Sequence, residues 1–149
     1  MDKILISRCL LGDNVKYNGG NNKSENPIIS KWINEGRVIP ICPETDGGLS
    51  TPRPPSEIQK NSVVNIEGAD VTAEFVLGAQ IACEKAKMQG AKYAVLKQGS
   101  PSCGSKKIYD GTFSGTKING MGISAKMLSE MEIEIFDESE IEILDAKIK

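Results

Sequence analysis

The sequence predicts an α/β fold: a single-domain, open, mainly parallel sheet with helices on both faces. Two observations predict it. Short apolar runs rich in branched residues read as buried strands, and stretches with helical periodicity separate them, the alternation that builds βαβ units. At 149 residues the chain matches the size of one ordinary domain with a real core, so residues 1–149 are read as one unit.

Lys3–Ser7 (KILIS) is the first strand. Asn26–Glu35 (NPIISKWINE) reads as a helix with Asn26 as its cap, Pro27 in the first turn, an apolar stripe of Ile28, Ile29, Trp32 and Ile33, and Gly36 as its stop. Arg37–Cys42 (RVIPIC) is the second strand, and Pro40 inside it points to an edge position or an irregular end. Thr45–Pro55 is loop, rich in Gly and Pro, and Val63–Ile66 reads as a short extra strand. Thr72–Gln89 carries Phe75, Ala79, Ala82, Cys83 and Ala86 on one helical face. Lys92–Leu96 is the third strand and Glu132–Phe136 the fourth. Between them come a glycine-rich stretch from Gly99 to Gly122, read as a long loop or a lid over a pocket, and a helix near 123–131. A last helix is expected within Glu138–Lys149. The whole pattern is Rossmann-like.

The formal net charge of −2 gives no positive field to draw the chain onto a nucleic-acid polymer. The N-terminal apolar run is too short for a signal segment and no run reaches membrane-spanning length, so the expected location is the cytoplasm. Histidine is absent, which excludes Ser-His-Asp triads, Cys-His pairs and His-ligated zinc or iron within one chain. Catalysis is left to Cys, Asp, Glu, Ser, Lys, Tyr or backbone groups.

The four cysteines are Cys9, Cys42, Cys83 and Cys103. No C-x-x-C occurs, and disulfides are not expected in a cytoplasmic chain. Cys9 follows the first strand, Cys42 closes the second, and Cys103 sits in the loop after the third. In open α/β sheets, loops beyond the carboxyl ends of the strands converge on ligands, so these three thiols map to one edge. Cys83, mid-helix on the apolar stripe, reads as a small buried hydrophobe. Buried thiols are common, but the surroundings of the trio (CLLG, CPETDGG, SPSCGS) are loop sequences. Three thiolates without histidine suit either zinc, completed by a carboxylate such as Glu44, or an iron–sulfur cluster left with one open iron, which acts as a Lewis acid toward a soft donor such as thiocarbonyl sulfur. Spacing does not separate the two.

The segments SRCLLGDNVKYNGG, CPETDGGLSTPRPPSE, GSPSCGSKKIYDGTFSG and GMGISAKML resemble a bacterial and archaeal family associated with thiouracil desulfidases, over roughly residues 4–131. The resemblance implies a [4Fe-4S] cluster on Cys9, Cys42 and Cys103 with one iron not ligated by protein. It also implies an iron–sulfur-dependent, hydrolytic desulfidase that takes sulfur from a thiolated pyrimidine, releases hydrosulfide and leaves a carbonyl. It carries the family's acidic CPE residue onto Glu44 and its SPSCG serines onto Ser100 and Ser102. Lys16 and Asn18 stand where the family motif is expected to read Arg and Asp, which leaves Asn18 a weaker candidate for acid–base work.

On this reading Glu44 is the general base for water and Ser102 a hydrogen-bond or proton donor to the ring nitrogen. Ser100, Arg53 and Asp110 are the substrate-binding candidates, with Arg53, between prolines, paired to a carboxylate or gripping an anionic part. For Ser102 and Asp110 the alternative is ordinary turn capping. The expected partner is a small thiolated base or nucleotide, with no nucleic-acid polymer and no membrane, and the chain is expected to be a monomer or homodimer. The rival function is a non-enzymatic iron–sulfur or zinc module, a carrier or sensor. The absence of a fourth suitable cysteine argues against it.

Overall fold

The computed structural model describes residues 1–149. Its central sheet has four parallel strands in the order β2-β1-β5-β8, formed by β1 (Lys3–Ser7), β2 (Val38–Ile41), β5 (Ala91–Leu96) and β8 (Glu134–Asp137). β2 is an edge strand, and its Pro40 is exposed, where a missing N–H costs the sheet nothing. α1 (Pro27–Asn34) starts as the sequence predicts: the Asn26 side chain accepts from the Ile28 N–H at 3.0 Å and Pro27 occupies the first turn. α3 (Thr72–Gln89) has the predicted bounds. α4 (Ile123–Glu130) and α5 (Ile141–Asp145) complete the main helices.

Because side chains alternate along a strand, each strand feeds two cores. Ile4, Ile6, Val95 and Phe136 pack against Ile29 and Trp32 of α1 and Ile141 and Leu144 of α5. Leu5, Ala94 and Leu96 pack against Ala82 and Ala86 of α3 and Ala125 and Leu128 of α4. The expected layered α/β fold with helices on both faces is therefore present. Two expectations about packing are corrected. Ile33, assigned to the buried stripe of α1, is 49% exposed at the stripe's outer margin. Cys83 is only half-buried and sits at the edge of the α3 core face rather than within it.

Several elements lie outside the main sheet. A helical turn, α2 (Pro43–Asp46), follows β2. β3 (Ser56–Gln59) and β4 (Ser62–Asn65) form one antiparallel hairpin. β6 (Lys107–Tyr109) and β7 (Lys117–Asn119) form another, inside the glycine-rich stretch read as loop or lid. No helix is long and apolar enough to cross a membrane.

Candidate metal centre and active site

Strand order places the topological switch between β1 and β5, since the chain leaves β1 toward β2 and returns on the other side. At the carboxyl ends of these strands lies a cavity of about 500 Å³ lined by Cys9, Cys42 and Cys103 together with Glu44, Arg53 and Ser100. The three thiols predicted to share one edge thus face one cavity, and all four cysteines are free.

Cys9 stands on a single 3-10 turn, Arg8–Leu11, directly after β1. Its carbonyl accepts from the Asn22 N–H at 3.0 Å, so the following loop folds back beside it. Cys42 precedes α2, whose amides it caps: the Asp46 N–H donates to its carbonyl at 2.8 Å. Cys103 is buried, 6% exposed, in the loop after β5. Ser100 Oγ organises that loop by accepting from the N–H groups of Ser102 at 3.1 Å and Cys103 at 3.0 Å. The loop's carbonyls in turn cap α4: Ile123 N–H donates to Pro101 at 3.0 Å and Ser124 N–H to Ser102 at 2.9 Å.

Burial pushes the Cys103 thiol far above its ordinary pKa, and the charges of Cys9, Glu44 and Cys42 push in the same direction. Burial also raises Cys9, with Cys42 adding to it. Thiols in this setting ionise only beside a compensating positive charge, and a thiophilic metal group supplies one. No three Cys, Asp or Glu side chains are gathered tightly enough in this structure to hold a single metal ion. A cluster that takes one thiolate per iron fits a trio of thiols spread around a cavity.

Glu44, in the α2 turn, is held by Arg53: its Oε1 accepts from Nε at 3.1 Å and lies 3.1 Å from Nη2. The remaining guanidinium donors go to the Ser50 carbonyl, Thr51 Oγ1 and the Val15 carbonyl, at 3.1, 3.1 and 2.9 Å. Arg53 therefore lines the cavity with its guanidinium bonded to Glu44 and to three loop oxygens, the carboxylate pairing expected of it. Glu44 Oε2 has one weak neighbour, Ser100 Oγ at 3.5 Å, and is left available to the cavity.

Two sequence-based assignments are corrected. Ser102 is fully buried and pairs its hydroxyl with Ser124 Oγ at 2.8 Å; it does not line the cavity, because the docking of α4 turns it away. Ser100, with Oγ 3.5 Å from Glu44 Oε2, is the serine of the pair that lines the cavity. Asp110 does not line the cavity either. Its carboxylate accepts from Thr112 N–H at 2.9 Å and Thr112 Oγ1 at 2.6 Å, a turn cap that holds it below the usual carboxylate range.

Sequence reasoning missed what sets the height of the Cys42–Glu44 turn. A Cβ on Gly78 of α3 would fall 1.8 Å from the Pro43 carbonyl oxygen, and one on Gly47 would fall 1.9 Å from the Glu74 carbonyl oxygen. The turn therefore presses on the helix at two glycines, and only an isolated mid-helix Gly signalled it. Gly78→Ala is expected to lower the thermal midpoint, costing about 1–3 kcal/mol, and to reduce iron retained per chain by displacing Cys42; scanning calorimetry and iron analysis check this.

A layered α/β chain whose switch point opens onto three free thiols and an arginine-held carboxylate is a Rossmann-like protein with a cysteine-lined cavity at its switch point. Residues 4–140 match the 2-thiouracil desulfurase family. The chain belongs to that family. It is 40% identical over 148 residues to the uncharacterized protein YbbK of Bacillus subtilis (strain 168), covering 93% of this chain and 97% of that protein. It also superimposes on a [4Fe-4S]-dependent thiouracil desulfidase, TudS (DUF523Vcz), with a TM-score of 0.97 at 42% identity, over 99% of this chain and 97% of that one.

Proposed function

We propose that the protein is an iron–sulfur-dependent desulfidase that hydrolyses the C=S bond of a thiolated pyrimidine to C=O and releases hydrosulfide. The observation that carries this reading is the convergence of Cys9, Cys42 and Cys103 with an oriented carboxylate on one cavity. Membership of the 2-thiouracil desulfurase family supports the reaction, and the likeness to a [4Fe-4S]-dependent desulfidase supports the cofactor. A [4Fe-4S] cluster held by the three cysteines, one iron free of protein ligands, would supply a Lewis-acidic site for the thiocarbonyl sulfur.

The protein's own residues supply the rest. Glu44 takes a proton from the attacking water through Oε2, while Arg53 fixes Oε1 and so aims the free oxygen. Ser100, bonded to two loop amides through its oxygen, keeps its hydroxyl proton to donate toward Glu44 or a substrate atom. The half-enclosed cavity limits bulk water at the reacting carbon. Lys16 and Lys117 also line it and pair with no carboxylate, whereas Lys97 is held by Glu138 at 2.7 Å, so two cations face an anionic substituent and the substrate class is a thiolated base or its nucleotide. A carrier or sensor would have no use for a carboxylate oriented in this way beside the metal ligands.

The test is anaerobic reconstitution with iron and sulfide, followed by absorption spectroscopy and assay of sulfide release from 2-thiouracil and 4-thiouracil. The expected result is a brown protein that releases one sulfide per carbonyl formed, without an added reductant. A colourless zinc protein, or a brown one inert on every thiolated pyrimidine and nucleotide, overturns the proposal.

A further inference from the structure

The loop between β6 and β7 carries an aromatic residue whose setting the mechanism above does not use. Phe113 lines the cysteine cavity half-buried and belongs to neither hydrophobic core. Its backbone lies at φ +57°, in the left-handed region that disfavours residues with a Cβ. Such a conformation persists only where the surroundings hold it, and held outliers cluster at ligand clamps.

The surroundings here are specific. Glu57 of β3, 8% exposed, accepts through one carboxylate oxygen from the N–H groups of Gly111 at 2.9 Å and Phe113 at 3.2 Å. Gln59 Nε2 donates to the Gly111 carbonyl at 2.8 Å. A Cβ at Gly111, itself at φ +93°, would fall 2.7 Å from the Ile58 carbonyl oxygen, so the loop reaches β3 at a point no side chain could occupy. The Asp110–Thr112 cap closes the turn from the other side. A buried carboxylate spent on two amides of a surface loop, together with a left-handed phenylalanine, is a costly arrangement for a loop with no task.

We propose that Phe113 is the platform on which the flat ring of the substrate stacks, and that Glu57 is the positioning residue that presents it. This rests on the thiopyrimidine reading above. A rigid aromatic face fixed before binding favours planar heterocycles and spends little conformational entropy when one arrives. It also sets the ring plane, and therefore the line from the thiocarbonyl carbon to Glu44.

The test uses the reconstituted holoenzyme and two readouts: steady-state kinetics on 4-thiouracil, and calorimetric binding of uracil, which has no sulfur to lose. Phe113→Ala is expected to raise KM and the uracil Kd about 10-fold, the loss in kcat/KM being carried by KM. Phe113→Trp restores both. Glu57→Ala, which frees the loop, is expected to match Phe113→Ala, while Glu57→Gln retains a carbonyl acceptor and stays within about 3-fold of wild type. Phe113→Ala with unchanged KM and Kd, while wild type turns over normally, overturns this inference and leaves the desulfidase reading intact. A wild type that neither binds uracil nor desulfurates any thiopyrimidine overturns both. Because Phe113 is outside both cores, its variants are expected to keep the wild-type thermal midpoint whatever happens to those of Glu57, and they decide the matter alone.

Discussion

Cys103→Ser is expected to purify without brown colour, to retain only trace iron after reconstitution where wild type holds about four per chain, and to release sulfide from 4-thiouracil at the uncatalysed background. Serine matches cysteine in shape but offers a hard oxygen that stays protonated where a soft thiolate is required. The position has no substitute nearby: it is buried, and its loop is pinned to α4 by backbone hydrogen bonds, so no other sulfur can swing in. Cys9→Ser and Cys42→Ser are expected to behave alike. Cys83→Ser is the control. Its thiol lies on α3 beside Glu84, Lys87, Met88 and Met131, away from the cavity that holds the trio, and burial raises its pKa with no metal-site partner in reach. It should keep both colour and turnover. Loss of the cluster in Cys83→Ser together with its retention in Cys42→Ser would show the assignment of ligands to be wrong.

The convergence of Cys9, Cys42 and Cys103 on one cavity was legible in the sequence because parallel strands advertise themselves. β1 and β5 are buried on both faces and β2 on one, so KILIS, RVIPIC and KYAVL read as apolar runs, and whatever follows each run lands on the same edge of the sheet. α3 was equally plain from its alanine face. β8 begins two residues later than its apolar pattern suggests because Glu132 takes φ +65° and turns the chain, spending Ile133 on the α3–α4 core before the strand begins. Of the two hairpins only β4 was read, as Val63–Ile66, and the other three strands carry little signal. β7 is exposed throughout, β6 is three residues long, and the β3–β4 turn has Lys60 at φ +56° where a glycine or asparagine would have announced it. Within the site, the resemblance nominated Ser100 and Ser102 through the SPSCG motif, and the donor role was given to Ser102 with no view of what lies beside it. The choice is made by Ser124, which lies 22 positions further on and draws the Ser102 hydroxyl into the α4 interface. Likewise the pairing of Arg53 with Glu44, and of Glu57 with the Phe113 loop, depends on tertiary placement that no periodicity encodes.

Glu44→Gln separates the acid–base chemistry from the metal site, and it is expected to lower kcat about 10²–10⁴-fold while iron content and the visible spectrum stay as in wild type. The substitution keeps the side chain's length and one carbonyl acceptor for Arg53, so the α2 turn and Cys42 should not move. Arg53 also retains its bonds to Val15, Ser50 and Thr51, which limits the cost to folding. What disappears is the carboxylate oxygen free to take a proton from water, because an amide in that position is no base. Glu44→Asp retains a carboxylate one methylene further from both Arg53 and the cavity, and it should recover only part of the lost rate. If kcat were instead unchanged in Glu44→Gln, the proton would have to be taken by another group, and Glu44 would be left as the counter-charge that keeps Arg53 and the loop around it in place.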